Sequence, residues 1–196
     1  MAFWKRLARA LNPGTPHAHD DWKLVWDARQ AALEGILGPA DDSVFHAVIP
    51  LDLGGGADVL AFTGPGSGHT YVTADLTGQP ILGQAQVPTF ELMICTRLPS
   101  EGAPNLISRL APYCLEKRLA PGHTMQVSTD PQAPMYALVF TTPDWITSTF
   151  PVLGQACSLL LAIGISKADL EYAFSDGTEA LLARLRERGS YPYTPD

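Results

Sequence analysis

The chain has 196 residues, 46% of them hydrophobic and 17% charged, and its formal net charge is −7. This length suits one domain that buries a core without metals or disulfides. Because an acidic chain lacks the clustered Lys and Arg that bind phosphate backbones, we predict no nucleic-acid partner.

The first eleven residues combine early positive charge with an apolar helical face that includes Trp4. Lys5, Arg6 and Arg9 interrupt the apolar positions, so we expect no signal peptide. Such a helix can contact a membrane surface or a partner, but docking on its own domain is the favoured interpretation. The longest apolar stretch, residues 152–165, is too short to span a bilayer, so we predict a soluble protein without a membrane partner.

A turn signal over residues 12–16 separates the start of the chain from the rest. Asp20 or Asp21 is predicted to cap a helix that ends at Gly38. We therefore divide the chain into an N-terminal amphipathic segment with its linker, one domain and a tail: residues 1–19, 20–190 and 191–196.

Between residues 43 and 96, short β-rich runs alternate with glycine and proline, which is typical of strands joined by turns. The predicted strands are residues 44–49, 58–62, 69–74 and 89–96. The last of them contains Glu91, which points inward if both faces of the sheet are covered.

Helical spacing returns over residues 105–119, where Pro112 should kink or split the helix. Two strands are predicted at 125–128 and 135–141, and residues 152–163 fit either a strand or a buried helix. Two helices complete the domain. The first is predicted to start at the capping pair Ser166 and Asp169. The second is predicted to start at the pair Asp176 and Glu179 and to end at Gly189. This order predicts an α+β fold, a single domain with a mixed or mostly antiparallel sheet covered by helices.

The glycine-rich string from Thr63 to Thr70 departs from nucleotide-binding patterns. A phosphate loop would need Gly where Thr63 stands and Lys where His69 stands. The residues that follow indicate a strand rather than the helix whose amides would bind phosphate. We interpret this string, and likewise Gly54 to Gly56, as loops between strands, and we predict no cofactor.

Residues with catalytic potential are scattered. Ser67 lacks the flanking glycines of a nucleophile elbow. Tertiary structure can still assemble a triad from the histidines and aspartates of the first two thirds of the chain: His46, His69 or His123 with Asp52, Asp58 or Asp75. Asp75 by itself is expected to accept backbone N–H groups in a turn.

Two features bear on metals and on the cellular compartment. His17 and His19 stand beside two aspartates and offer ligands for a divalent cation, but the aspartates are expected to cap the helix, so we predict no metal site. Cys95, Cys114 and Cys157 form no C-x-x-C pair and have apolar neighbours. We therefore expect buried, unreactive thiols and a cytoplasmic protein.

The run of residues 58–62, followed by residues 69–77 and an apolar strand from Phe90, resembles the suppressor-of-fused-like (SUFU) domain family. The Pro-Gly-His turn at residues 121–123 and the run at 159–170 resemble later family elements. The family usually has Gly where Ala74 stands here. The resemblance extends from about residue 22 to residue 189.

The resemblance implies a non-enzymatic protein-binding domain. Animal relatives restrain a transcription factor through a second domain and an insert, for which this chain has no room. Single-domain bacterial relatives often serve as immunity or partner-binding proteins in toxin systems, so a toxin domain is one candidate partner. Partner contacts are expected in loops carried by the rigid sheet. The residues predicted for them are Gly55, Gly66, Ser67, His69, Asp75 and Thr77.

Two other functions stay open. A small hydrolase would use His69 or His123 with Asp75, and it requires a pocket in which these side chains converge. A homodimer would require an apolar patch repeated across a symmetry axis, for which Trp4, Trp22 and Trp26 are candidates.

Overall fold

The computed structural model describes residues 16–63, 68–78, 89–117 and 119–195, with side chains described from residue 22 onward. The predicted N-terminal helix with Trp4, and the loop residues Gly66 and Ser67, lie outside these ranges. The described elements are α1 (Pro16–Leu37), β1 (Val44–Phe45), a 3₁₀ turn (Leu51–Leu53), β2 (Val59–Phe62), β3 (His69–Thr73), β4 (Phe90–Thr96), α2 (Gly102–Glu116), β5 (Thr124–Gln126), β6 (Ala137–Thr141), β7 (Thr149–Val152), β8 (Gln155–Ile165), α3 (Lys167–Asp176) and α4 (Thr178–Glu187).

The strands form one mixed sheet in the order β1-β2-β3-β4-β8-β6-β5. β7 pairs with the first residues of β8, and β6 pairs with its last residues. Among the described strands, β4 and β8 form the one parallel pair, and the other pairs are antiparallel. These two central strands are buried on both faces, which explains their nearly continuous apolar sequences. The predicted fold class, an α+β domain with a mostly antiparallel sheet, is confirmed.

Helices cover both faces of the sheet. Alternate residues of β2 enter two separate hydrophobic clusters, because successive side chains of a strand point to opposite faces. Leu60 and Phe62 pack with α1, α3 and α4, whereas Val59 and Ala61 pack with α2. Glu91 is buried on the α1 face, where the sequence predicted an inward charge.

The first helix begins earlier than predicted. It starts at Pro16, so Asp20 and Asp21 lie inside the helix and the capping prediction is wrong. Proline suits the first helical turn because the missing N–H group has no acceptor there in any case. His17 and His19 therefore lie on a helix. Among the described residues, no group of three acidic, His or Cys side chains could hold a metal ion.

In the second half of the chain, the observed strands and helix ends differ from the predicted ones at two places and agree at two others. Residues 155–165 form a strand, which resolves the strand-or-helix alternative, and β7 was missed because Pro151 interrupts it. Ser166 caps α3 by accepting the Asp169 N–H, as predicted. Asp176 caps nothing, because it ends α3, and Gly177 leads into α4. Gly189 lies in the left-handed region just beyond α4, as predicted.

The three cysteines are free and buried, as expected for thiols that act as small hydrophobic side chains. Burial raises the pKa of Cys95 to about 11, which keeps this thiol protonated and unreactive. No helix in the described part of the chain is long and apolar enough to cross a membrane.

Candidate functional site

A groove of about 440 Å³ lies between the loop that follows β1 and one side of α2. We define the β1–α2 groove by residues 45–49 and 54–56 of the loop and by five α2 residues: Pro104, Asn105, Ser108, Arg109 and Pro112. Val48 is 99% exposed and Ile49 is 56% exposed. These apolar side chains line the groove yet have little contact with their own domain, which is a feature of interaction surfaces.

A proline inside α2 holds the loop on the helix. In a helix, the N–H group at position 112 would donate to the Ser108 carbonyl. Pro112 has no N–H group, so this carbonyl has no donor within the helix. That carbonyl accepts the Ala57 N–H at 3.2 Å, and the Ser108 hydroxyl donates to the Ala57 carbonyl at 2.7 Å. The helix continues through Pro112 to Glu116, so of the two predicted alternatives, a kink or a split, the split is excluded, and the freed carbonyl anchors the loop.

The three glycines of the loop are required by its own geometry. Gly54 has a φ of 85°, in the left-handed region that side chains rarely adopt. A Cβ on Gly55 would lie 1.7 Å from the Ile49 carbonyl oxygen, and one on Gly56 would lie 2.4 Å from the Ser108 hydroxyl. Gly55, predicted to contact a partner, thus lines the groove and allows the loop to close.

Asp58 ties the rim of the groove to the sheet. Its carboxylate contacts His46 Nδ1 at 2.8 Å and accepts the Ala47 N–H at 2.9 Å. Because the Ala47 N–H donates to Asp58, it is not available for strand pairing. β1 therefore ends at Phe45, four residues before the predicted end of the strand. His46 with Asp58 is also a His–Asp pair from the triad candidates, but Ser108, the groove hydroxyl, is engaged with Ala57.

On the α1 face of the sheet, a buried ion pair joins α1 to β4. Arg29 is 1% exposed, and its Nε lies 3.3 Å from Glu91 Oε1. The guanidinium also donates to the carbonyls of Ala74 and Thr77, which closes the turn after β3. Arg29 was not among the predicted residues, although its helical spacing between Val25 and Leu33 places it on the buried stripe of α1.

Glu91 is surrounded by donors. It accepts the hydroxyls of Thr73 and Thr77 at 2.6 and 2.8 Å, and the N–H groups of Leu76 and Thr77 at 3.1 and 2.8 Å. Burial raises the pKa of Glu91, while Arg29 and these donors lower it. No buried side-chain N or O among the described residues lacks a hydrogen-bond partner, so this network is internally satisfied.

Asp75 links the network to the groove. It accepts the backbone N–H of Asp58 at 2.7 Å, on the neighbouring strand rather than in its own turn, and lies 3.8 Å from Arg29. Burial raises the pKa of Asp75 to about 6, and the Asp58 carboxylate acts in the same direction. Arg29 and the Asp58 N–H oppose this shift.

The structure separates the remaining predicted partner contacts. Thr77 is fully buried against Glu91, so it presents nothing to a partner. His69 begins β3 and Asp75 follows its end, roughly 20 Å away along a strand. His123 lies beside β6, with β4 and β8 between it and β3. The hydrolase hypothesis required His69 or His123 to lie beside Asp75. In the described part of the chain, neither histidine does.

The chain was compared with protein-family models and with curated protein sequences. The family model for suppressor of fused protein (SUFU) matches residues 56–194. A comparison with curated protein sequences finds no match.

Three similar solved structures share this fold. The chain from the Sufu–Fu complex has a TM-score of 0.60 and 16% identity, over 89% of this chain and 84% of that one. A SUFU homolog from Neisseria gonorrhoeae FA 1090 has a TM-score of 0.58 and 12% identity, over 87% and 91%. Drosophila Suppressor of Fused has a TM-score of 0.55 and 17% identity, over 71% of this chain and 41% of that one.

Proposed function

This chain belongs to the suppressor of fused family, and on that premise we propose that it is a non-enzymatic domain that binds a protein through the β1–α2 groove. The observation that carries the proposal is the exposure of Val48 and Ile49 on the rim of that groove. A chain of the same fold comes from the Sufu–Fu complex, which supports a protein as the partner.

The shape of the groove favours a protein over a small molecule. Small-molecule sites are enclosed and bury most of their ligand, whereas this groove is open and its most exposed apolar residue projects outward. Arg109 on α2 and His46 on the loop supply polar groups beside Val48 and Ile49. An apolar centre with polar neighbours is the usual composition of protein interfaces.

We further propose that the partner is the toxin domain of an effector and that the protein acts in the cytoplasm as its immunity protein. A net charge of −7 suits the covering of a basic effector, because complementary charge speeds association. Three free, buried thiols suit a reducing compartment. Among the residues first predicted for partner contact, Gly55 belongs to this surface, and His69 does not.

The test is an affinity capture from the native organism at low and moderate salt, followed by mass spectrometry. The wild-type chain is compared with Val48→Asp/Ile49→Asp and with Leu24→Asp, which replaces a 59%-exposed leucine on α1. We expect one stoichiometric partner with the wild type and with Leu24→Asp, and its loss with the double variant. Capture by all three chains would exclude the groove.

The immunity role has its own test. The captured partner is expressed alone and together with this chain, and cell growth is measured. Growth arrest that wild type relieves and the double variant does not would support the role. A partner that is harmless alone would contradict it and leave the protein-binding proposal standing.

A further inference from the structure

The segment over residues 190–195 fills a gap between the two central strands. The parallel pairing of β4 with β8 ends at Ile94 and Ala162. Beyond this point Cys95 pairs with Tyr193 instead. The segment after α4 therefore continues the ladder along β4 at the point where β8 leaves it.

Thr194 connects both sides of the gap. Its N–H donates to the Cys95 carbonyl at 2.8 Å, and its hydroxyl oxygen accepts the Gly164 N–H of β8 at 2.9 Å. Thr194 is 5% exposed. One residue thus satisfies a backbone acceptor of β4 and a backbone donor of β8, which would otherwise be left unpaired in the sheet.

Glycines make room for the two side chains of the segment. A Cβ on Gly164 would lie 2.6 Å from the Thr194 methyl group, and a Cβ on Gly68 would lie 2.6 Å from the Tyr193 ring. The Arg97 guanidinium lies 4.4 Å from the centre of that ring and donates to the Gly189 carbonyl. The gap is thus shaped for an aromatic residue followed by threonine.

We propose that this gap is a binding slot for an extended peptide with an aromatic residue followed by Thr, and that the chain occupies it with residues 190–195 until a partner segment of the same chemistry replaces them. Backbone pairing with pockets for particular side chains is a general mode of peptide recognition. Cys95 pairs with Thr70 at one end of β3, whereas Asp58 and the β1–α2 groove lie beyond the other end. The slot and the groove are therefore separate sites, and each proposal can fail without the other.

The test uses the full chain with Tyr193→Ala and Thr194→Ala, which removes the ring, methyl and hydroxyl groups that occupy the slot. The probe is a fluorescent synthetic peptide of residues 189–195, and anisotropy measures its binding. We expect the variant to bind the probe at least tenfold more tightly than the wild type, because the wild-type segment competes at an effective concentration on the order of millimolar. Equal affinity for both chains, or no binding to a folded variant up to about 1 mM, would overturn the proposal.

Two controls identify the slot as the binding site. Adding Gly164→Ala to the double variant should abolish probe binding, because the new methyl group fills the threonine position. A probe with Ala at both positions should not bind. If binding in either control is as tight as that of the original probe to the double variant, the probe binds at another site and the proposal is wrong.

Hydrogen exchange of the wild-type chain covers the case in which the double variant does not fold. A replaceable segment must open without the core, so the Gly164 and Thr194 amides should exchange at least tenfold faster than the Leu92 amide inside β4. Exchange of all three amides together, at the rate of global unfolding, would show that the segment is part of the core and would overturn the proposal.

Discussion

The buried network around Glu91 and the β1–α2 groove both depart from the usual distribution of side chains, and they do so in opposite ways. In the network, the charges of Arg29 and Glu91 are inside the protein. On the rim of the groove, Val48 and Ile49 are outside. Asp58 and Asp75 connect the two regions through one 2.7 Å hydrogen bond. An unusually placed residue is thus structural when its own chain satisfies it, and it indicates binding when its chain leaves it uncovered.

The energetic consequences also differ. A charge such as that of Glu91 has lost its water, so it depends on Arg29 and on the threonine and backbone donors around it. Val48 is exposed in the folded chain and in the unfolded chain alike, so folding gains little from it. A partner that covers it gains about 25 cal/mol for each Å² of apolar surface removed from water.

The largest expected effect is the loss of Glu91. Glu91→Ala should reduce the free energy of unfolding by about 3–5 kcal/mol, because Arg29 remains buried and its remaining carboxylate partner, Asp75, is 3.8 Å away. Urea denaturation at pH 7 measures this loss. The matched double variant Arg29→Met/Glu91→Leu removes both charges and should lose clearly less than the sum of the single variants. A loss below about 1 kcal/mol for Glu91→Ala would mean that the network is not structural.

The second effect is a pH dependence caused by Asp75. Its pKa in the folded protein is about 6, against an ordinary value of 3.8. Between these values the folded state keeps a proton that the unfolded state has lost, so stability falls as the pH rises. The fall should reach up to about 3 kcal/mol between pH 4 and pH 7.

Urea midpoints measured across this range for wild type and Asp75→Asn check the prediction. Asp75→Asn should flatten the profile, whereas Asp52→Asn, at an exposed carboxylate of the loop, should leave it unchanged. Identical slopes for wild type and Asp75→Asn would assign the pH dependence to another group.

A smaller effect concerns the loop that separates the two regions. Gly55→Ala should cost about 1–3 kcal/mol, because the new methyl group meets the Ile49 carbonyl and the backbone must move. Gly54→Ala meets no atom within 4 Å and should cost only about 1 kcal/mol of conformational strain. Thermal unfolding of both variants measures the difference, and the reverse order would mean that the loop closes in another way.

The smallest effect on stability is expected on the rim of the groove. Val48→Asp should change the free energy of unfolding by less than about 0.5 kcal/mol, although it should weaken partner binding. Chemical denaturation compares it with Leu24→Asp on α1. A loss above 1 kcal/mol for Val48→Asp alone would show that Val48 packs against its own domain, and the contrast between the two regions would disappear.

Much of the fold was predictable because it depends on local pattern. Period-two and helical spacing located most of the strands and helices to within a few residues, although β7 was not predicted, and the Ser166 cap was visible as a short motif. The inward Glu91 was predicted from its place in an apolar run. Gly55 was predicted as a binding residue from the glycine-rich loop alone, and its location in the groove is the part of that prediction that the proposed function retains.

Other features depended on pairs of residues far apart in the chain, for which a local pattern has no signal. The partner of Glu91 is Arg29, on another element. The same is true of Pro112, which was expected to kink or split α2 and which also frees a carbonyl for Ala57. Residues 46–49 were predicted to continue β1, yet the strand ends at Phe45, and Asp58 contacts the His46 ring and accepts the Ala47 N–H.

Local sequence pattern was enough to locate most helices and strands, to predict buried thiols and to show the family resemblance. These properties depend on the spacing of side chains along a few turns or residues. The tertiary structure was needed to show that His69 and Asp75 lie at opposite ends of β3, that Thr77 is buried, and that the groove and the Cys95–Tyr193 pairing lie near different ends of β3. The physical reason is that strand pairing and helix packing set distances between residues that no local pattern relates.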